Sequence, residues 1–529
     1  MNRSLLALSA LVAIIVVPFV IRPRRPASAV TGPVATERLV IITPHNEPVR
    51  HEFGRAFRAF MAGQGRHVEI DWRSPGGTAE IARYVASEYT ASFQHYWTRQ
   101  LHRPWSAKVA GGFMASSTPS SPPSSSPLGA AGDEGAQARQ AFLASDVGCG
   151  LDLLFGGGSV DHVRHARAGR LVDAGVVAAH PELFGPSAIP QELGGQVLWD
   201  RQGRWIGACL ASFGICFNRD SLTRLGVAIP SSWQALTDPR LRGQIALADP
   251  SKSGSAAKAF ETIIQAEMQR AGVVEGWARA IRLIRRMGGN ARYFTDSSSK
   301  VALDVNAGDA AVGTCIDYYG RFQRESLATL GYPARVGYAA PRGETAVDAD
   351  PISLLRGAPH RALAVAFIEF VLSPAGQKLW AFRQGTPGGP ERYTLGRLPM
   401  LRDLYGHAFD DARADLGEDP YDPEGRLDYH EPWTGPLFGA IAFVVRTMCV
   451  ETEPELRSAY GALVAAHFPP QATALFDDLS LVDYATVSGP IQAALRSSDP
   501  LAEAAWARRL VEHFRDVYRR TAVLARAGQ

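Results

Sequence analysis

From residue 38 onward the apolar positions switch between two periods. LVIIT at 39–43 is a short continuous apolar run that stops at Pro44, and EPVRHEFGRAFRAFMAG then spaces Val49, Phe53, Phe57, Phe60 and Met61 along one helix face. HVEIDWRS alternates as a second strand, and PGGTAEIARYVASEY opens a second helix. This strand–helix–strand–helix order predicts an α/β layer. Ligands of such layers lie beyond the carboxyl ends of the strands, which selects His45, Asn46 and Glu47 after the first strand and Gly76, Gly77 and Thr78 after the second.

The alternation recurs farther on. QARQAFLASDVGCGLDLLFGGGS reads as a helix, an apolar strand and three glycines. Gly156, Gly157 and Gly158 fit equally a flexible turn and a strand end where backbone approaches a ligand. RWIGACLASFGICFNRDSL is one long apolar extended run, and QIALA ends in the loop ADPSKSGSAAKAF. There Ser253, Gly254 and Ser255 stand at a helix start, where free N–H groups and hydroxyls converge, so the loop is expected to hold an anion; plain N-capping is the alternative. Ser297 in TDSSSK joins the same ligand set, and the strand AAVGTCI is expected to end in Asp317, Tyr318 and Tyr319. From about 390 the pattern is mainly helical, with no internal repeat.

Composition bounds the answer. The chain has 529 residues, 46% hydrophobic and 20% charged, with room for two to four domains. With 55 basic against 52 acidic residues the net charge is +3, too small for the single-sign field that nucleic-acid binding needs. The run SSTPSSPPSSSP at 116–127 cannot build a core, and 107–135 is predicted as a disordered surface insertion. Five cysteines without a C-x-x-C pair suggest neither a disulfide scaffold nor a zinc ribbon; free thiols are expected ahead of a Cys209–Cys216 bridge. Arg3 precedes the uncharged run 5–21, and Ala27-Ser28-Ala29 has the small-x-small form of a signal-peptidase site, so 1–29 is expected to direct export. Arg22, Arg24 and Arg25 on the far side of that run leave an uncleaved anchor open. No later segment is expected to span a bilayer.

Catalytic templates are missing. There is no G-x-x-x-x-G-K-[ST] and no G-x-S-x-G, and His51-Glu52 and His430-Glu431 each lack the second histidine of a zinc protease, so no enzyme is expected. The tandem Tyr318-Tyr319 reads either as aromatic packing or as a pair of phenolate donors for a hard cation such as ferric iron.

Three segments carry a family resemblance: IPSSWQALTDPRLRGQIALADPSKSGS at 229–255, NAGDAAVGTCIDYYG at 306–320, and DADPISLLRGAPHRALAVAFIEFVLSPAGQKLW at 348–380. In this order they resemble the periplasmic substrate-binding proteins of ABC importers, in the cluster that carries ferric iron, phosphonates, organophosphates and sugar phosphates. The resemblance implies a two-lobed type 2 periplasmic-binding fold, α/β in class, with lobe 1 at 38–207, lobe 2 at 216–336, a return to lobe 1 at 340–400 and a helical C-terminal extension at 401–529. It implies a monomer that hands its solute to an ABC permease in the inner membrane, and no resident cofactor. Tyr318 and Tyr319 match the tyrosine ligands of the iron-carrying members, His45 lies near their histidine position, and Ser253, Gly254 and Ser255 match the loop for a synergistic anion. The acidic ligand has no match, because Gly156, Gly157 and Gly158 stand in its place. Fe3+ with a bound anion is placed slightly ahead of an organic phosphate or phosphonate as the solute.

Overall fold

The computed structural model describes residues 36–115, 133–332, 335–497 and 499–528. The export segment 1–29 and the serine–proline run 116–127 lie outside those residues. The chain enters as β1 (Thr36–Ile42), α1 (Glu47–Ala62), β2 (His67–Arg73) and α2 (Thr78–His95). β1 and β2 pair in parallel, Thr36 against His67 through Ile42 against Arg73. Val49, Phe53, Phe57 and Met61 are all buried, so the apolar face of α1 lies on the sheet; Phe60 alone of that set stays exposed, at 44%.

Next come α3 (Ala107–Phe113) and α4 (Glu134–Ala144), on either side of the serine-rich run. They correct the expectation of disorder at the two flanks, 107–115 and 133–135. Val109 and Phe113 are buried, and Phe113 stacks on Phe93 at 4.7 Å between centroids and meets Phe142 edge-on at 5.5 Å. Aromatic burial accounts for the order of the first flank.

After β3 (Leu153–Phe155), α5 (Ser159–Arg167), β4 (Leu171–Val172) and the hairpin of β5 (Glu192–Leu193) and β6 (Gln196–Val197), the chain forms β7 (Ile206–Asn218). The second lobe follows as β8 (Ile245–Ala248), α6 (Gly254–Ala271), α7 (Val273–Asn290), β9 (Ala291–Thr295), α8 (Ser298–Ala307), β10 (Val312–Ile316), α9 (Asp317–Thr329) and β11 (Val336–Ala339). β12 (Val347–Leu355), α10 (Arg361–Leu372) and α11 (Pro374–Ala381) return to the first. Strand order is β2-β1-β3-β12-β7-β10-β8-β9, with β4 beside β12 and β11 beside β7.

β7 serves both lobes. All thirteen of its residues are buried. Its first half pairs antiparallel with β12, and its second half pairs with β10 on one side and β11 on the other. Cys209 and Cys216 both sit on this extended strand, roughly 23 Å apart at 3.3 Å per residue, beyond the reach of a bridge. All five cysteines are free and buried.

Residues beyond 400 do not form one helical unit appended to lobe 1. The segment up to about 430 runs in turns, tied to the first lobe by Ala414 N–H to Ala381 O at 2.9 Å and then to the stretch just before β12 by Leu427 N–H to Thr345 O at 2.9 Å. The chain then forms α12 (Phe438–Val445), α13 (Glu453–Ala465), α14 (Pro470–Phe476) and α15 (Pro500–Arg526). Val444, Leu456, Tyr460, Phe514 and Tyr518 share one core with Trp277, Ile281 and Ile284 of α7. α7 carries a second apolar face that the sheet cannot cover, and the C-terminal helices cover it. Glu431–Val450 is long and apolar enough to cross a membrane, contrary to expectation, yet it is mostly buried in this core.

A chain ended after residue 430 should therefore expose that face and aggregate or lose cooperative melting. A soluble fragment with an unchanged melting temperature would show the helices to be an independent appendage. Phe113→Ala should lower unfolding free energy by about 3–5 kcal/mol in a denaturant titration.

Candidate functional site: the cleft between the lobes

A cleft of about 770 Å3, counting space open to solvent, lies between the lobes where helices from both begin. Four helices present their first turn to it: α2 at Thr78, α5 at Ser159, α6 at Gly254 and Ser255, and α9 at Tyr318 and Tyr319. The first N–H groups of a helix have no intrahelical partner, and each helix start carries roughly half a positive charge. The starts of α2 and α6 nearly touch across the cleft, since a Cβ on Gly254 would lie 3.0 Å from Thr78 Oγ1.

The floor is a buried ion cluster. Asp350 on β12 accepts from Arg397, from His45 Nε2 at 3.2 Å and from Gly157 N–H at 2.9 Å. Burial alone would raise the Asp350 pKa, but the Arg397 guanidinium outweighs it and holds the carboxyl well below the usual range. Burial pushes the His45 pKa down, favouring the neutral ring, and its buried Nδ1 has no partner among the described residues. The Arg397 side chain is 1% exposed and lines the cleft, and among the described residues its Nε and Nη2 have no hydrogen-bond partner. A buried guanidinium with donors to spare fits an anion.

Asp348, two residues earlier on β12, accepts from Ser159 Oγ at 2.9 Å and lies 3.6 Å from Lys258 Nζ. Burial would strip Lys258 of its proton, yet Glu261 and Asp348 more than compensate and keep it charged. Both aspartates thus already bind protein donors. Asp161 in the first turn of α5 is different: its ion-pair contact is Arg164 at 3.4 Å, and burial pushes its carboxyl up to about 6.

The predicted residues divide. His45, Thr78, Gly157, Gly158, Gly254, Ser255, Tyr318 and Tyr319 line the cleft. The three glycines are no flexible turn. Gly156, Gly157 and Gly158 hold φ of +85°, +115° and +81°, and a Cβ on Gly156 would lie 2.6 Å from the His45 ring. Ser253 caps α6 and bonds Ser298 Oγ at 2.8 Å. Asn46 accepts from the Tyr318 hydroxyl across the lobes, and Asp317 is buried beside Arg321 at 3.4 Å. Glu47, Gly76, Gly77 and Ser297 are exposed outside the lining, Glu47 paired with Arg50 at 3.4 Å and Ser297 capping α8.

The tyrosines open α9 rather than close β10, so both project into the cleft region from one helical turn. Tyr318 joins the first lobe's core, and Tyr319 packs against the cores of both lobes. Burial raises the pKa of each phenol. Among the described residues no group of three His, Cys, Asp or Glu is placed to hold a metal ion. Arg397, Lys258, Asp348, Asp350 and Asp161 escaped the sequence reading. The acids of DADP and the lysine four residues after Gly254 were visible as residue types, but Arg397 lies in a loop without periodicity.

An acid whose folded pKa is raised favours folding most below its unfolded pKa and loses that contribution as pH rises through the folded value. Asp161→Asn should therefore stabilise the protein by about 1–3 kcal/mol at pH 7.5 and by almost nothing near pH 4. Parallel melting curves at the two pH values check this; an equal effect at both would refute the assignment.

Residues 165–394, less than half of the chain, match the sequence profile of the family described as bacterial extracellular solute-binding protein. An uncharacterized protein of Haemophilus influenzae is 28% identical over 177 residues, 33% of this chain and 46% of that protein. The phosphoglycerate transport regulatory protein PgtC of Salmonella typhimurium is 25% identical over 178 residues, 33% of this chain and 40% of that one. The chain thus spans less than half the length of these curated relatives. Among solved structures, iron-bound HitA from Pseudomonas aeruginosa aligns with a TM-score of 0.46 and 15% identity, over 77% of this chain and 99% of that one. The fructose-6-phosphate-bound AfuA from Actinobacillus pleuropneumoniae aligns at 0.41 and 18%, over 65% and 81%. The profile match spans α6, α9 and β12, which carry much of the cleft, so the stretch that resembles the bacterial extracellular solute-binding proteins is the stretch that builds the cleft.

Proposed function

We propose that the cleft captures a small anionic solute, a phosphate-bearing organic acid or sugar, outside the cytoplasm and delivers it to an ABC permease. The observation that carries this reading is the convergence of four helix starts on a space floored by a buried arginine with unpartnered donors. Those N–H groups replace the hydration an anion loses when the lobes close. The carboxylates do not oppose it strongly. Asp348 and Asp350 are occupied by protein donors, and Asp161, with its raised pKa, carries little charge near pH 5 and suits a hydroxyl of the solute. The name of the phosphoglycerate-transport relative is in keeping with this chemistry. Ferric iron is the rival. It asks for ionised phenolates, whereas burial favours neutral phenols here, the Tyr318 hydroxyl donates a hydrogen bond to Asn46, and His45 Nε2 is held by Asp350.

Calorimetry with 3-phosphoglycerate should give binding that Arg397→Ala weakens by about 30–100-fold, the loss of about 2–3 kcal/mol of charge-assisted hydrogen bonding. Arg397→Lys, which keeps the charge but not the fork, should fall between. A protein that ignores phosphate esters but takes ferric citrate, with a visible absorption band lost in Tyr319→Phe, would replace this reading with iron transport.

A further inference from the structure

The C-terminal part of the chain reaches the cleft as well as the second core. Tyr429 and Thr434 each donate a hydrogen bond to Glu261 Oε1, both at 2.7 Å. Glu261 is fully buried, one turn along α6 from Lys258, and its other oxygen lies 3.0 Å from Lys258 Nζ. The ammonium stands 4.2 Å from the centroid of the Tyr429 ring. Its remaining ionic partner is Asp348 of the opposite lobe. Gln265, one further turn along α6, bonds His430 O at 2.8 Å and Thr434 Oγ1 at 2.7 Å, so the segment is pinned to the helix that opens at the cleft. Phe438, the first residue of α12, lines the cleft directly.

We propose that residues 429–438 are part of the solute site: Tyr429 and Thr434 position Lys258 through Glu261, and Phe438 forms a wall that limits solute size. The proposal rests on the cleft being the solute site and assigns a role there to the C-terminal segment. An isolated buried ion pair is a weak positioning device, because each charge still lacks hydrogen-bonding partners. Here Tyr429 and Thr434 satisfy one oxygen of Glu261, and the tyrosine face takes one side of the ammonium. Lys258 is thereby held between Glu261 and Asp348, at the place where the two lobes meet over the solute. Tyr429 and Thr434 are positioning residues, since they act through Glu261; Phe438 acts by volume.

Two readouts on the full chain test this. Acetylation of the ligand-free protein by an amine-reactive ester, read at Lys258 by peptide mass spectrometry, should be slow in the wild type. It should be several-fold faster in Tyr429→Phe, which keeps the ring and loses the donor, and in Thr434→Val. Calorimetry with fructose 6-phosphate and 3-phosphoglycerate should show Phe438→Ala raising the affinity ratio in favour of the bulkier ester by about tenfold, about 1.4 kcal/mol, with Phe438→Tyr keeping the wild-type ratio. Unchanged Lys258 labelling in both variants, or an unchanged ratio in Phe438→Ala, overturns the proposal. If Arg397→Ala abolishes binding while these readouts stay flat, the anion-binding cleft stands and only the role of 429–438 falls. If the wild type binds neither ester, the cleft reading falls and Phe438 with it, and the labelling decides the positioning of Lys258.

Discussion

Everything about the cleft follows from one strand shared between two sheets. β7 is buried along its whole length because β12 covers its first half while β10 and β11 flank its second. The strand changes partners near residue 213, between Ser212 opposite Val347 and Phe213 opposite Ile316. At that change the two sheets part, and the loops beyond their strands face each other. Helix starts α2 and α5 come from one side and α6 and α9 from the other, so a helix-start electrostatic field is built by topology before any charged side chain is placed.

Charged side chains then refine that field. β12 delivers Asp348 and Asp350 to the same region two residues apart, on one face of the strand, and each is matched by a cation from elsewhere: Lys258 from the second lobe and Arg397 from the loop after α11. Matching the acids leaves the helix starts and the spare donors of Arg397 as the unbalanced feature of the cleft. The contacts Tyr318 to Asn46 and Lys258 to Asp348 each join one lobe to the other across the cleft.

Local pattern made the first βαβα unit, the long run that became β7, and the glycine and serine loops legible, because burial on one face imposes a period that survives in the residue order. The three segments that carried the family resemblance fall inside the matched stretch 165–394. Other features were hidden. Tyr318 and Tyr319 looked like a strand end because the apolar run before them is a strand, and the helix that starts at Asp317 has no capping side chain to announce it. The flanks of the serine-rich run looked disordered because window composition averaged Val109 and Phe113 with their polar neighbours.

Residue order alone determined that the chain is α/β, that a glycine triplet and a serine loop stand where strands end, and that no hydrolytic or nucleotide-binding template is present. These depend on neighbours within a few positions. Only tertiary structure decided that the last hundred residues complete the second lobe, that Arg397 lies beneath His45, and that Glu47 and Ser297 stay outside the cleft. Each of those depends on which surfaces meet across hundreds of residues, and a partner that distant leaves no periodic trace in the sequence.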